Sequence, residues 1–485
     1  MTMSRRKFLE LAGGAAFACA PALLKAARPG GEDANILARA YSTLHPGLHR
    51  YASPARMTAR FARFGDDLAA ATSLGGRYLA LSRLLGTVRC GHSYANFYNQ
   101  RRSVADSLFA GRNRLPFRFR WLGARMIVTA DTEGNGLAPG TEILSVDGRP
   151  AAHILSALLP LARADGGNDG KRRAILGVEG VDRFEAFDIY YPLLFPMNAE
   201  TFALSVRTPA GQVRSLRVAA IDLARRRAAM RTGATPDPSA NPGWSLEHRG
   251  GATMMTMPTW ALYDSRWDWR GWIALSFDAM ARRRSRVLIV DLRDNEGGLD
   301  CGDEIVARMI DAPLHLSGYE RRVRFREAPR DLIPYLDTWD RSFDRLGVGA
   351  VDLGNGFLRL AEEGPDGAGL IRPSGPRFSG ALIVLTSAQN SSATFQFANV
   401  VRTFRLGRLV GGTTGGNRRG INGGSFYFLR LPESGLEADL PLVGTFPRRP
   451  QPDSGLEPDI AVSATPADIA AGRDAVLEHA LTLVA

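Results

Sequence analysis

The chain has 485 residues, 45% of them hydrophobic, and a formal charge of +12 set by 61 basic against 49 acidic residues. That length and apolar content fit two or three globular domains and exclude a wholly disordered chain. The basic residues are arginines apart from Lys7, Lys25 and Lys171, and they stand among acids rather than in a stripe with interleaved aromatics, which argues against a nucleic-acid-binding surface.

The chain opens on SRRKFL, Ser4 to Leu9, followed by LAGGAAFACAPALL. Paired arginines before a mildly apolar run read as a twin-arginine export signal over residues 1–28, cleaved near Ala20 to Ala22. The run is shorter than the roughly 18 residues of a spanning helix. No later segment is apolar enough to span, so the mature chain is expected in the periplasm or secreted, with no stable membrane span after cleavage. It then keeps only Cys90 and Cys301, too few for a disulfide scaffold.

Residues 29–112 are rich in Ala, Leu and Arg with few breakers, and predict a helical N-terminal domain. It closes on LLGTVRCGHSYANF, where a helix runs into Gly91, His92 and Ser93 and then into an extended stretch. A glycine before a histidine at a helix end points to an exposed imidazole, although a lone histidine also serves as a structural or solvated group. His45, His49, His153, His248, His315 and His479 are read in that second way.

Residues 113–170 change to short strands and turns: a turn over Gly136 to Gly140, a strand over Thr141 to Val146, an Asp147-Gly148 hairpin turn and a helix over Ala152 to Leu159. The pattern resembles a PDZ-like module, whose relatives hold peptides by strand addition; an ordinary small β-module is the alternative.

A Pro-rich stretch at 209–246 reads as a loop, and residues 171–485 as an αβ core with a surface insertion at about 311–378. Arg286 to Leu292 is a buried strand, Asp294 to Gly298 a glycine turn, and Cys301 begins a helix. Adjacent glycines let backbone N–H groups approach a ligand closely, and the Gly-Lys-Ser/Thr ending of a phosphate loop is absent. Ala381 to Thr386 is a second buried strand, Ser387 to Ser391 a polar turn, and Phe397, Val400, Val401 and Phe404 recur at helical spacing up to Gly407. Ser392 thus stands where a strand turns into a helix. A hydroxyl there either caps the helix, with Asn390 and Ser391, or acts as a nucleophile beside open N–H groups. The alternation over 250–410 predicts parallel strands and an α/β fold within an α+β multidomain chain. No cluster suited to a metal occurs, and no cofactor is expected.

In order, these pieces resemble the tail-specific, or C-terminal-processing, serine peptidases, in the branch that includes tricorn protease and the interphotoreceptor retinoid-binding proteins. The resemblance runs through YSTLHPGLHRY, CGHS, the PDZ-like segment, DLRDNEGG, TSAQNSSATFQFA, LVGGTTGG and GLEPDIAV. It implies a ClpP/crotonase-like αβ peptidase core and an exported serine peptidase acting on peptides or proteins. Ser392 becomes the nucleophile, His92 the general base, and the N–H groups of Ala393 and Gly298 the oxyanion hole. A third, acidic member is expected at Asp453 or Glu457. The chain departs from the family at Asn417, where many relatives carry a lysine base, at Phe395 and Gln396 in place of two glutamates, and at Cys90-Gly91 in place of Asp-Gly. Convergence of the motifs implies a Cys90–Cys301 disulfide. A non-catalytic peptide- or small-molecule-binding protein on the same scaffold is the alternative function, and an esterase or amidase a third; the oligomeric state stays open.

Overall fold

The structure is a computed structural model that describes residues 30–197, 199–230, 237–249, 251–361 and 369–484. The export signal read at residues 1–28 lies outside them. Among the described residues no helix is long and apolar enough to cross a membrane, and no group of His, Cys, Asp and Glu is disposed to hold a metal.

Three helices open the described chain, Gly31–Leu44, Pro54–Ala70 and Leu74–Val88. The second and third start where sequence rules place them: the Ser53 and Ser73 side chains accept from the N–H groups of Arg56 and Gly76. Leu37, Tyr41 and Leu44, then Met57, Phe61, Phe64 and Leu68, recur at three- and four-residue spacing and are buried. They share one core with the hairpin of strands Asn422–Arg430 and Glu437–Pro447, through Tyr427, Leu429, Leu440 and Leu442. The third helix ends at Arg89, in the left-handed region at φ 56°, and that reversal swings the chain into Cys90 to Ser93.

The strands Phe117–Leu122, Arg125–Asp131 and Glu142–Val146 form an antiparallel sheet with Thr201–Arg207 and Val213–Ala219. The boundary expected at 170 therefore does not separate two sheets. Ile143 pairs with Val206 across three intervening α-helices, and sequence separation hid the alternation of Phe202, Leu204 and Val206.

The core sheet runs in the order Ile460–Ala461, Arg408–Gly411, Ala381–Thr386, Val287–Asp291, Ala252–Thr256, Ser245–Arg249. All neighbours are parallel except the last pair. Val287–Asp291 is buried throughout, as a strand covered on both faces requires. The helices Trp269–Arg283, Cys301–Val306 and Ser392–Thr403 contribute to the core on one side, and Ala475–Thr482 to a smaller one on the other. Because Ala381 pairs in parallel with Val287, both strands end at the same edge, and the turns after them meet.

The described residues of 311–378, expected as a surface insertion, are instead built into the molecule. Tyr319–Val323, Leu336–Asp337, Val351–Asp352 and Leu358–Arg359 join the sheet of Asn422–Arg430 and Glu437–Pro447, and Val323, Leu332 and Leu336 are buried. The segment reads as surface because its strands are short and their outer face is charged, as in the Glu320–Arg322 ion pair.

Candidate active site

The strand Ala381–Thr386 turns through 387–391 into the helix Ser392–Thr403. Ser392 is half-buried and has φ 51°, in the left-handed region that a non-glycine residue enters only at a free-energy cost of order 1–3 kcal/mol. A serine at a strained strand-to-helix turn presents its hydroxyl outward, the geometry of a nucleophile elbow. The capping alternative does not hold. Ser391 makes no cap bond to the helix; its Oγ donates to the Glu296 carbonyl at 3.1 Å. Asn390 instead ties the two turns together, with Nδ2 donating to the Leu292 and Asn295 carbonyls and Oδ1 accepting from Ser387 N–H.

The glycine turn lies directly against this helix start. A Cβ on Gly297 would sit 2.7 Å from the Ser391 carbonyl oxygen and 2.9 Å from both Ala393 N and Ser392 Cβ, and one on Gly298 would sit 2.0 Å from the Trp260 carbonyl oxygen. Their φ values of 106° and 139° exclude ordinary side chains as well. Gly297 N–H is engaged by Asn295 Oδ1 at 2.9 Å. Gly298 N–H and Ala393 N–H make no hydrogen bond among the described residues.

His92 follows the Arg89 reversal. Its half-buried ring packs on the backbone of Gly423, where a Cβ would lie 3.7 Å away, and 5.9 Å from the ring of Phe426. Burial pushes its pKa below the ordinary histidine value; the Asp165 carboxylate opposes the shift and Arg163 reinforces it. The ring is therefore neutral near pH 7, the form that can accept a proton. No hydrogen bond joins His92 to Ser392, and His92 Nδ1 is buried without a partner.

Asp165 lies against Gly91. Its Oδ1 accepts from Gly91 N–H at 2.8 Å, and its Oδ2 is buried without a partner. Asp453, expected as the third member, reaches the neighbouring backbone instead: its Oδ1 accepts from Gly167 N–H at 2.9 Å and from Asn417 Nδ2 at 2.7 Å. Asn417, at the position of the family's lysine, also donates to the Asp165 carbonyl. Asp453 thus braces the turn that carries Asp165. The Glu457 side chain is exposed, and its carbonyl accepts from Arg402.

A partly buried ionic relay connects the two halves. Arg163 donates to the Gly91 carbonyl at 3.0 Å and to Glu296 at 2.7 Å. Lys171 pairs with the same carboxylate and donates to the carbonyl and Oε1 of Gln389 at 2.9 and 3.0 Å. Burial alone would raise the Glu296 pKa, but Arg163 and Lys171 outweigh it and hold the group well below the carboxylate range. All three donors of Lys171 are engaged, which removes it as a base. His92 and Ser392 each adjoin an end of the path from the Gly91 carbonyl through Arg163 and Glu296 to Ser391. Sequence reasoning missed Asp165, Arg163 and Glu296. Glu296 had a local signal, its place inside DNEGG, whereas Asp165 sat in a segment read as another module.

The disulfide is not formed. Cys90 and Cys301 are both free and buried in different cores. Asn422 Nδ2 contacts Cys90 Sγ at 3.4 Å, and Cys301 heads the helix packed against Phe397 through Gly302.

No curated protein matches the sequence. Among solved structures, mature CPAF complexed with lactacystin superposes with a TM-score of 0.64 at 17% identity, over 93% of this chain and 96% of that one. Mature CPAF alone gives 0.63 at 16%, over 93% and 95%. At such identity the likeness is one of fold. Residues 253–461, which contain the core sheet from Ala252–Thr256 onward and both of its turns, match the model of peptidase family S41. That match covers the sheet that carries Ser392 and the paired glycines, and over residues 253–461 the chain is similar to peptidase family S41.

Proposed function

We propose that this chain is an exported serine peptidase that hydrolyses peptide bonds with Ser392 as nucleophile and His92 as general base. One observation carries the reading: Ser392 stands at φ 51° on an uncapped helix start, pressed against the 297–298 glycines. Ser392 Oγ attacks the carbonyl carbon as its proton passes to His92. The carbonyl oxygen takes the electron pair and is met by Ala393 N–H and Gly298 N–H. Collapse breaks the C–N bond, His92 returns the proton to the leaving amine, and water cleaves the acyl ester by the same exchange.

We assign Asp165, rather than Asp453, as the acid that orients the imidazole. Its carboxylate is the group that most favours the His92 cation, and its buried Oδ2 and His92 Nδ1 each lack a partner. Catalytic hydrogen bonds of this kind often tighten only when substrate closes the site. The SRRKFL signal supports export to the periplasm or beyond, and the segment at 113–170 is read as a PDZ-like module holding the substrate chain.

A non-catalytic binding protein is the second reading, favoured by the missing hydrogen bond between His92 and Ser392. Labelling of the mature protein with a fluorophosphonate separates the two. The peptidase reading expects labelling that vanishes in Ser392→Ala and falls sharply in His92→Ala; an unlabelled, folded wild type overturns it.

A further inference from the structure

The strand Asn422–Arg430 continues outward from His92 as a band of rings. Gly423 underlies the imidazole, and Phe426 and Phe428 follow at the two-residue spacing of one strand. Leu336 and Asp337 pair antiparallel with Leu429 and Phe428. Extending that register brings Trp339 opposite Phe426, and their ring centroids lie 5.9 Å apart. Trp339 also meets Phe428 at 5.7 Å and Phe343 at 5.4 Å. A continuous aromatic surface thus starts 5.9 Å from the His92 ring, at Phe426, and ends on an indole that is 55% exposed.

The neighbouring charges are paired: Arg341 lies 3.7 Å from Asp344, which accepts from the Tyr427 hydroxyl, and Arg430 contacts Asp337 and Glu437. The band therefore presents ring faces with no uncompensated charge. A tryptophan this exposed, packed edge-on rather than buried, keeps an apolar face in water at a hydration cost that an apolar partner removes.

We infer that Trp339 and Phe426 form a substrate subsite for a large apolar side chain, aromatic or leucine-like, near the scissile bond. The inference rests on the peptidase reading for the position of the bond, and on the aromatic band alone for the chemistry of the occupant. The wall is a selectivity device supplied by residues 336–345, outside the core sheet. It is continuous with His92, so a side chain seated on it belongs to a peptide already at the candidate catalytic groups.

The test uses Ser392→Ala protein and a positional-scanning peptide library with one position fixed as Phe, Leu, Ala or Asp. At one position Phe and Leu should bind about tenfold or more tighter than Ala, the scale of discrimination in an apolar pocket. Adding Trp339→Ala should erase that difference and Trp339→Phe should restore most of it. Equal affinities for Phe, Leu and Ala at every position, or a preference that survives Trp339→Ala, overturns the subsite. Fluorophosphonate labelling of the wild type separates the two readings, since it reports on Ser392 and not on the wall. Labelling of the wild type with no side-chain preference sinks the subsite alone. A Trp339-dependent preference without labelling of the wild type sustains the wall as a binding site and sinks the peptidase.

Discussion

His45 and His92 each follow the C-terminus of a helix in the N-terminal region, yet the molecule treats the two imidazoles in opposite ways. His45 is fully buried and saturated: Nδ1 accepts from Gly47 N–H at 3.1 Å, and Nε2 faces Ser93 Oγ at 3.0 Å. Burial drives its pKa from 6.5 to about 3, helped by Arg50. His92 is half-buried, lies on a backbone rather than in a cage, and keeps a buried nitrogen unpartnered. A saturated histidine holds a fold together; one with an unpartnered nitrogen is free to take part in proton exchange, as the proposed function requires. Partners, more than depth, distinguish the two.

The largest expected effect breaks this contrast at His92. His92→Ala should lower kcat/KM by about 10²–10⁴, the contribution of positioned acid–base chemistry, with little change in Tm. His45→Ala should do the reverse, lowering Tm through an orphaned Ser93 hydroxyl and Gly47 N–H while leaving labelling of the folded fraction intact. If both substitutions acted only through Tm, the distinction drawn between the two rings would fail.

Next comes the relay beneath His92. Glu296→Gln leaves the Arg163 and Lys171 charges facing a neutral amide, and because the Glu296 side chain is 34% exposed the loss in urea unfolding should fall below the about 3–5 kcal/mol of a fully buried pair. Lys171→Met should cost less, because Glu296 keeps Arg163. An equal loss in the two variants would show that Lys171, rather than the shared carboxylate, anchors the turns.

The two pKa shifts give smaller effects. For His45 the folded pKa lies below the unfolded value, so the unfolded chain binds more protons between the two. Its contribution to stability is complete above pH 6.5 and is lost as pH falls toward 3. His45→Gln should flatten the acid limb of a stability–pH curve in that window. His92 must be neutral to accept a proton, so kcat/KM should fall on the acid side at a pH below the ordinary histidine value. Removing the Asp165 charge as Asp165→Asn should move that limb lower still, by about one pH unit. A limb that moves upward, or not at all, would remove Asp165 from the imidazole.

Much of the candidate site was legible because it is local. A strand, a polar turn and a helix start are written into ALIVLTSAQNSSATFQF by its change of period, and two adjacent glycines announce a close backbone approach. The open N–H of Gly298 follows from DNEGG once Asn295 is seen to engage Gly297. What was not legible is nonlocal. Asp165 meets Gly91, and Lys171 meets Glu296, across separations that no period records. The segment at 311–378 hid its role because short strands with charged outer faces read like a loop, while Val323 and Leu332 carried its buried side.

The sequence by itself determined the elements, the serine at the helix start, the glycines and the place of His92 just past a helix end, since these rest on backbone geometry within a few residues, whereas the imidazole expected to be exposed is half-buried. Tertiary structure alone decided the partners. It set the Asp165 carboxylate against Gly91 and tied Asp453 to Gly167 and Asn417, kept Cys90 and Cys301 apart in separate cores, and tilted Trp339 against Phe426. Such choices depend on how sheets pair and which charges share a buried space, and pairing energies act between segments that the chain order keeps far apart.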